Sequence, residues 1–209
     1  MYIPKRFLQN DINKLKGIMA NYSFATFITQ NESGFEANHM PLILSEAAEK
    51  DVLQGHIAKA NPLWKNIKDK SEVLIIFNGP NSYISPNYYP TKQEHGKVVP
   101  TWNYVSVHVK GIVSFIHDDQ WILTMLNNLT DQYEENQPVP WSVNDAPQAY
   151  IDKMLSAIVG LEIEIVSIAG KWKVSQDKTA ENKKGVFEGL SQEAGSNSHN
   201  IARLVKEHF

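Results

Sequence analysis

The sequence contains no cysteine. This absence excludes disulfides, thiolate metal ligands and cysteine nucleophiles together. Long apolar runs are missing as well, because none approaches the roughly 20 residues that a membrane-spanning helix needs. The first residues, MYIPKRFLQND, contain no apolar stretch followed by a cleavage site. We therefore expect no signal peptide and a cytoplasmic protein.

The chain also lacks a strong excess of charge of either sign. Its 209 residues carry a formal net charge of −3, and 42% of them are hydrophobic. A chain of this length and composition can bury a core of its own, and we expect a single domain over residues 1–209. The weak negative charge argues against a protein whose main activity is to grip nucleic acid or an anionic membrane.

Common catalytic, nucleotide-binding and metal-binding motifs are absent too. No Gly-x-Ser-x-Gly elbow, P-loop or Gly-rich dinucleotide-binding motif occurs. No two histidines stand four residues apart, as they would on one face of a helical metal site. The sequence therefore predicts no metal site from its seven histidines, which are His39, His56, His95, His108, His117, His199 and His208.

The sequence does contain short strands joined by turns. Asn10 or Asp11 is a candidate N-cap for a first helix. A strand over 24–29, a hairpin turn at 31–34 and a returning strand over 35–44 follow. The apolar run 71–77 predicts a strand that is buried on both faces.

Later segments extend the same pattern. We expect further elements as follows: a half-buried strand over 105–113, a helix capped by Asp118 or Asp119, a helix over about 146–158, strands near 161–165 and 170–176, and C-terminal helices over about 179–192 and 198–208. Strands joined mostly by hairpins predict an antiparallel barrel. Because the helices cluster at the ends of the chain and between the later strands, the fold class is α+β with peripheral helices.

The stretch from Phe77 to Tyr104 combines prolines with six aromatic side chains. It is expected to break at Gly79-Pro80, to resume as a strand through Tyr83–Ser85, and to break again at Pro86. Aromatic rings in loops are costly to leave in water. They would therefore cover the core at the mouth of a barrel, a second subunit or a flat ligand.

Two polar segments are candidate binding sites. In the first, His56 ends a strand, Lys59 offers a positive charge, and Asn61 caps a short helix with Pro62 in its first turn, a setting that suits phosphate. The second contains Lys171, Lys173, Ser175 and Gln176 after a strand. The alternatives are a surface lysine beside an ordinary cap and a solvated strand end.

The C-terminal helix pair has the order of a helix-turn-helix unit. If Ser198 caps the second helix, that helix would present His199, Asn200, Arg203 and Lys206. The alternative is that the two helices simply pack against the rest of the fold.

Taken in order, the motifs resemble those of one family. They are MYIPKRF at 1–7, HMPL at 39–42, GHIAKANP at 55–62, FNGPNSYISPNYY at 77–89, VPTWNY at 99–104, IVGLEIEI at 158–165 and GKWKVSQDK at 170–178. This ordered set is similar to the FMN-binding negative transcriptional regulators, the PaiB-like proteins. The resemblance implies an antiparallel split β-barrel like that of pyridoxamine-phosphate-oxidase-type flavoproteins, and a homodimer with FMN at the subunit interface.

The resemblance also implies which residues contact FMN. Lys59 would neutralise the phosphate with help from neighbouring groups, and Trp102, Tyr104 and the Tyr83–Ser85 strand would line the flavin ring. The full candidate set is His56, Lys59, Asn61, Tyr83, Ser85, Thr101, Trp102, Asn103, Tyr104, Lys171, Lys173, Ser175 and Gln176. Lys59 replaces the usual arginine, and Gln176-Asp177-Lys178 replaces Gln-Asn-Arg. Lysine keeps the charge but loses the bidentate geometry of arginine.

Three functions follow from these observations. The first is an FMN-binding protein that acts as a negative transcriptional regulator or as a flavin-dependent redox protein. The second is a DNA-binding repressor that uses the C-terminal helix pair, with flavin as a sensor or absent. The third is a non-enzymatic barrel that binds a partner protein through its aromatic loop. No residue stands out from the sequence as a general acid or base.

Overall fold

The structure, a computed structural model, describes residues 1–47 and 50–209. In this part of the chain the strands are β1 (Leu8–Gln9), β2 (Phe24–Asn31), β3 (Gly34–Pro41), β4 (Ile43–Ala47), β5 (Lys50–Ala58), β6 (Glu72–Ile84), β7 (Thr101–Ile116) and β8 (Ile158–Lys173). The α-helices are α1 (Ile12–Asn21), α2 (Leu63–Asn66), α3 (Lys92–His95), α4 (Asp119–Glu134), α5 (Gln148–Leu155), α6 (Ala180–Ser191) and α7 (Ser196–Lys206). Short 3-10 helices cover Lys5–Phe7, Pro86–Tyr88 and Val143–Asp145.

The strands form one sheet in the order β3-β2-β6-β7-β8-β5-β4, and β1 pairs with β8. The registers of the β1–β8, β2–β3, β2–β6, β4–β5 and β5–β8 pairs are antiparallel. The predicted hairpin at 31–34 is confirmed, since Asn31 and Gly34 face each other across a two-residue loop. Gly34 has a φ of +112°, which a residue with a side chain rarely adopts.

The chain divides into two compact units. Unit 1 comprises 1–18, 78–108 and 169–209, and unit 2 comprises 19–77 and 109–168. Unit 2 contains β2 to β5 and the parts of β6, β7 and β8 that fall within 72–77, 109–116 and 158–168. Phe27, Leu53 and Ile75 are fully buried in this unit. In the same unit, Ile122, Met125, Val143, Ile151 and Leu155 form an apolar cluster.

Unit 1 contains the remaining halves of the three long strands, together with β1, α3, α6 and α7. The two C-terminal helices bury Val186, Leu190, Ile201 and Val205 completely. Helix α6 lies close to the backbone of the Pro86–Tyr88 turn, because a Cβ added at Gly185 would meet the carbonyl oxygen of Tyr88 at 2.0 Å. Glycine at 185 therefore permits an approach that a larger residue would prevent.

Predicted helix starts are confirmed at two positions. The Asp11 carboxylate accepts a hydrogen bond from the backbone N–H of Asn13 (2.9 Å), just before α1 begins at Ile12. The Asp118 carboxylate accepts one from Trp121 (2.6 Å) at the start of α4. In both cases a short acidic side chain satisfies a backbone donor that the first turn of the helix leaves free.

Several sequence predictions about the strands were wrong. The expected strand 35–44 is two strands, β3 and β4, and the expected strands near 161–165 and 170–176 are one, β8. Strand β6 also runs unbroken through Gly79-Pro80. Proline lacks a backbone donor, but Pro80 lies beyond Leu74–Ile76, the segment of β6 whose register with β2 is defined, so the donor is not needed for that pairing.

The prediction that 71–77 is buried on both faces was also wrong. Val73, Ile75 and Phe77 are buried, whereas Leu74 and Ile76 between them are only half-buried. The apolar run therefore has one core face and one partly exposed face. A continuous apolar run can arise in this way because the side chains of a strand alternate between its two faces.

At the C-terminus, the cap predicted for the second helix was wrong. Helix α7 begins at Ser196 with Gly195 as its N-cap, so Ser198 lies inside the first turn. The Ser198 side chain is buried and donates to the Glu193 carboxylate instead of capping the helix. Among the residues that the structure describes, no helix is both long and apolar enough to cross a membrane.

Candidate functional site

Six of the predicted cofactor-binding residues come together in unit 1, where β7 begins and β8 ends. We call them the strand-end cluster: Thr101, Trp102, Asn103, Lys173, Ser175 and Gln176. The Lys173 ammonium donates to the Trp102 carbonyl oxygen (2.7 Å) and to the Thr101 hydroxyl. These bonds hold the positive charge of Lys173 directly against the first two residues of β7.

Two buried side chains fix the other side of the strand-end cluster. The Asn103 amide donates to the Ser175 hydroxyl (2.8 Å), and both residues are almost fully buried. Ser175 has a φ of +62°, an uncommon value for a residue with a Cβ. The Gln176 side chain accepts from the Val174 N–H (2.7 Å) and donates to the Trp172 carbonyl (2.6 Å), which ties the turn back to β8. The turn is therefore held by side chains on both strands.

The environment of Lys173 is electrostatically unusual. Partial burial lowers its pKa from the ordinary value, Asp177 opposes this shift, and Lys178 and Lys171 add to it. A negative group that approaches such a lysine stabilises its charged form. The strand-end cluster is thus prepared to face an anion or an electron-rich ring edge.

An exposed aromatic pair stands beside Lys173. Tyr83 is 45% exposed and Trp102 is 54% exposed, and their ring centroids lie 6.0 Å apart in an edge-on arrangement. Tyr104 is half-buried, with the Lys171 ammonium 5.2 Å from its ring centroid. Exposed aromatic rings of this kind can take up a flat heteroaromatic ligand.

Ser85 has a local structural role. Its hydroxyl accepts from the Asn87 N–H (3.1 Å) and so caps the 3-10 helix Pro86–Tyr88. The Ser85 hydroxyl is therefore already hydrogen-bonded to the backbone of the chain. Its assignment as a cofactor contact stays a prediction.

The remaining three predicted residues lie in unit 2. Lys59 is exposed, and its ammonium makes a long contact of 3.4 Å to the Ser156 carbonyl. The side-chain oxygen Oδ1 of Asn61 accepts from the Leu63 N–H (3.0 Å), as a cap would, while the side-chain Nδ2 of Asn61 donates to Oδ1 of Asn38 (2.8 Å). The helix α2 begins one residue later than expected and has a single turn, so its dipole adds little to phosphate binding.

His56 lies in β5 opposite Gly160 and is half-buried. Its Nδ1 atom has no hydrogen-bond partner among the described residues, and burial lowers its pKa. A neutral imidazole with an unpaired nitrogen can accept or donate one hydrogen bond to a ligand, but it brings no positive charge.

FMN needs a positive charge or a set of donors for its phosphate and an apolar, flat surface for its ring. The chain offers both. Lys59 has an exposed ammonium with one long contact, and the Tyr83–Trp102 pair gives an exposed aromatic surface next to a second cation, Lys173. Each unit, taken by itself, therefore carries groups that fit one end of FMN.

A network that no sequence pattern indicates anchors the C-terminal helices within unit 1. The Tyr88 hydroxyl donates to the Glu193 carboxylate (2.5 Å), which also accepts from Ser198, and Ser198 lies 3.1 Å from the Ser82 hydroxyl. Tyr88 and Glu193 are 105 positions apart, so no local spacing connects them. The network favours packing over base reading for α7.

Comparisons with known proteins agree with this geometry. A family model described as "Putative FMN-binding domain" matches residues 1–167. The Bacillus subtilis protein "Protease synthase and sporulation protein PAI 2" is 29% identical over 207 residues, which cover 99% of this chain and 97% of that protein. "Uncharacterized protein AN0679" of Emericella nidulans is 34% identical over 203 residues, covering 80% of this chain and 81% of that protein.

Solved structures share the fold at low sequence identity. The FAD and haem binding protein from Mycobacterium smegmatis has a TM-score of 0.59 at 14% identity, covering 79% of this chain and 73% of that one. The flavocytochrome Anf3 from Azotobacter vinelandii has a TM-score of 0.58 at 14% identity, covering 82% and 72%. The predicted α+β fold, an antiparallel split β-barrel with peripheral helices, is confirmed.

The Tyr88–Glu193 network makes stability depend on pH in a predictable direction. Hydrogen bonds from Ser198 and Tyr88 lower the pKa of Glu193, and the bond to Glu193 raises the pKa of Tyr88 to about 12. A carboxylate with a lowered folded-state pKa contributes stability above its unfolded value, and this contribution is lost as the pH falls through the folded value. We expect Glu193→Gln to unfold more easily than wild type at pH 7, with the difference shrinking below about pH 4.5.

Denaturant unfolding at a series of pH values measures this difference. Glu188→Gln is the control, because Glu188 lies on α6, which ends shortly before Glu193, and pairs with Lys184 at 3.8 Å on an exposed surface. Exposed pairs of this kind contribute little. Wild-type and Glu193→Gln curves that stay parallel down to acid pH would contradict the role assigned to the Glu193 carboxylate.

Proposed function

This chain belongs to the family of FMN-binding domains, and from that membership we propose that it acts as an FMN-dependent redox protein, with control of transcription as a second candidate. FMN is its cofactor. The observation that carries the redox proposal is the exposed Tyr83–Trp102 pair beside the Lys173 ammonium, which donates to the Trp102 carbonyl oxygen. The cytoplasmic location expected from the sequence stays a prediction.

The protein residues have distinct parts in this proposal. When bound, FMN supplies the hydride or electron chemistry itself. Trp102 and Tyr83 would contact the ring and shield one face from water. Lys173, fixed by Thr101 and the Trp102 carbonyl, would place a positive charge at the ring edge and so favour the uptake of negative charge there. Asn103 and Ser175 hold the backbone turn that positions Lys173.

Phosphate recognition is proposed for the Lys59 segment. The exposed Lys59 ammonium has one weak contact of its own, so it can reach an anion without breaking a strong bond. His56, Asn61 and the neighbouring amides would add uncharged donors. Because lysine binds phosphate as a point charge, we expect weaker binding than the usual arginine would give.

We predict that the protein prefers FMN over riboflavin. Lys59→Ala should cost about 1.5–3 kcal/mol of FMN binding, which is roughly tenfold to over a hundredfold in affinity. Titration of the apoprotein, followed by flavin fluorescence, measures both ligands. Lys65→Ala is the matched control, since Lys65 is exposed on the same segment with its ammonium over the Trp64 ring. Equal affinities for FMN and riboflavin in the wild type would contradict the proposal that the Lys59 segment binds the FMN phosphate.

The ring contact and the redox activity can be tested together. Freshly purified protein should show a bound flavin spectrum, and NAD(P)H or another reductant should bleach it. Trp102→Ala should weaken FMN binding by about twofold to tenfold, since an aromatic contact contributes about 0.5–1.5 kcal/mol. Trp141→Ala, which removes a similarly exposed tryptophan from unit 2, should bind FMN as wild type does. A flavin that no physiological reductant bleaches would remove the redox proposal and leave FMN binding in place.

We also propose a homodimer formed through unit 2. A groove there is lined by Ile28, Phe35 and Val166, and the last two are 80% and 64% exposed. Glu72 and Lys110 line the same groove, so it carries charges of both signs. A surface with an apolar centre and opposite charges can pair with a second copy of itself about a two-fold axis.

Sedimentation at micromolar concentration tests the homodimer. We expect the dimer mass for wild type and a shift toward monomer for Phe35→Ser, because a polar side chain removes apolar contact area. Val139→Ser is the control, since Val139 is 84% exposed in a loop of unit 2 outside the groove. A monomer mass for wild type would contradict the proposal.

Transcriptional control through direct DNA binding has weaker support. Arg203 donates to Asn200, Lys184 pairs with Glu188, and the Lys206 ammonium lies 5.5 Å from the centroid of the Phe187 ring. These basic side chains near the helix pair thus have partners within the protein. We therefore place DNA binding second, as a repressor that uses α6 and α7.

We expect weak DNA binding at physiological salt, with a dissociation constant of about 10⁻⁴–10⁻⁶ M. The paired change Arg203→Ala and Lys206→Ala should leave that binding untouched if α7 only packs. If the helices read DNA, the change should lower affinity and flatten the salt dependence by about one unit for each lost phosphate contact. Nanomolar, sequence-selective binding by the wild type would move the repressor function to first place.

A further inference from the structure

A second polar pocket lies in unit 1, apart from the strand-end cluster. We call it the Tyr89 pocket, and its polar lining consists of Tyr89, Thr91, His95, Lys97, Lys178 and Asn182. It is built by the chain on either side of α3 and by the start of α6. None of these side chains was a predicted FMN contact.

The Tyr89 hydroxyl is the feature that points to a ligand. Tyr89 is only 4% exposed, and its hydroxyl has no hydrogen-bond partner among the residues that the structure describes. Burying a hydroxyl without a partner is unfavourable, so natural structures avoid it. Burial raises the pKa of Tyr89, and the nearby Asp177 raises it further, which keeps the group a neutral O–H donor.

Other polar side chains line the same pocket and are held in place by hydrogen bonds. Thr91 and Asn182 bond to each other in both directions, at 3.1 and 3.0 Å, and so form a fixed wall. His95 accepts the Lys97 N–H at Nδ1 (3.0 Å), which leaves Nε2 as the donor of the neutral ring. The left-handed Gly96, with a φ of +64°, allows the tight turn between them.

The charge of the lining has one sign. Lys97 and Lys178 are cations, and the pocket lining contains no Asp or Glu within the described chain. Lys178 lies 3.9 Å from the Asp177 carboxylate, at the outer limit of an ion pair, with its ammonium 5.9 Å from the centroid of the Tyr89 ring. Donors and positive charge therefore exceed acceptors, which suits an anion.

The residue types in the pocket lining indicate which kind of anion would bind. Val98 and Val99 add apolar surface to the pocket. A phosphate dianion is usually held by an arginine fork or several backbone amides. Among the described residues, the side chains that line the pocket include no arginine. A carboxylate needs fewer donors, and its carbon chain can contact the valines.

We propose that the Tyr89 pocket binds a small organic carboxylate, which accepts a hydrogen bond from the Tyr89 hydroxyl and an ion pair from Lys178. The apolar part of the ligand contacts Val98 and Val99. This site is separate from the residues assigned to FMN. It gives the flavoprotein a place for a substrate or effector of defined chemistry.

The test uses the FMN-loaded, ¹⁵N-labelled full chain titrated with butyrate and followed by amide chemical shifts. We expect saturable shifts around 89–99 and 178–182, with a dissociation constant of about 1 mM, as befits a ligand of so few atoms. Tyr89→Phe should weaken binding by roughly tenfold, the loss of one hydrogen bond. It should not lower the Tm of the ligand-free protein, because the hydroxyl has no partner to lose.

Lys178→Gln should weaken butyrate binding by a similar factor. This second variant tests the ion pair independently of the Tyr89 hydroxyl. Lys92→Gln is the matched control, since Lys92 lies on α3 but bonds to Asn87 outside the pocket lining. Sodium chloride at equal ionic strength should produce no saturable shifts.

Four results would overturn the proposal. They are wild-type affinity in Tyr89→Phe, an equal loss in Lys92→Gln, a lower Tm for ligand-free Tyr89→Phe, and saturation by inorganic phosphate but not by butyrate. A fifth arm compares the FMN-loaded protein with the apoprotein. If FMN abolishes butyrate binding, the pocket belongs to the flavin and the separate site is wrong.

Discussion

The pairing of three long strands is the constraint on which the rest of the structure depends. Strands β6, β7 and β8 run for 13, 16 and 16 residues, well beyond the usual strand length of about 5–6. Each contributes to both compact units, so one set of backbone hydrogen bonds supports two regions of the chain. The start of β7 and the end of β8 are also where Lys173, Asn103 and Ser175 meet. The candidate flavin contacts in unit 1 therefore depend on the pairing of β7 with β8.

Local features of the fold could be predicted from the sequence because their causes are local. Asp11 and Asp118 cap helices, and the 31–34 hairpin forms, through bonds between residues two or three positions apart. Strand continuity was harder to predict. Gly79-Pro80 looks like a break in isolation, yet β6 continues through it, and a Cβ added at Gly79 would lie only 3.0 Å from the Cβ of Val105. That contact comes from a strand more than 20 positions away.

Some features of the candidate site could likewise be predicted from the sequence, and others could not. The resemblance of short motifs picked out residues that the structure joins, such as Lys173 with Trp102 and Asn103 with Ser175. Their partners lie about 70 positions away, so spacing alone could not supply the geometry. The Tyr89 hydroxyl and the Tyr88–Glu193 bond gave no sequence signal. In the pair Tyr88-Tyr89, only the structure distinguishes the tyrosine with a strong partner from the tyrosine with none.

Hydrogen bonds within the protein explain how the strand-end cluster can keep its shape before a ligand binds. Asn103, Ser175 and Gln176 use their hydrogen-bonding groups on each other and on the backbone, so they hold a shape. Lys59 and the Tyr83–Trp102 pair keep exposed surface and few competing contacts. A ligand that meets rigid, satisfied groups and a few free ones loses less entropy on binding than one that must order the protein. The same reasoning distinguishes the two candidate ligand sites of unit 1, because one offers the exposed Tyr83–Trp102 pair beside Lys173 and the other offers the unpartnered Tyr89 hydroxyl in a pocket lined by Lys97 and Lys178.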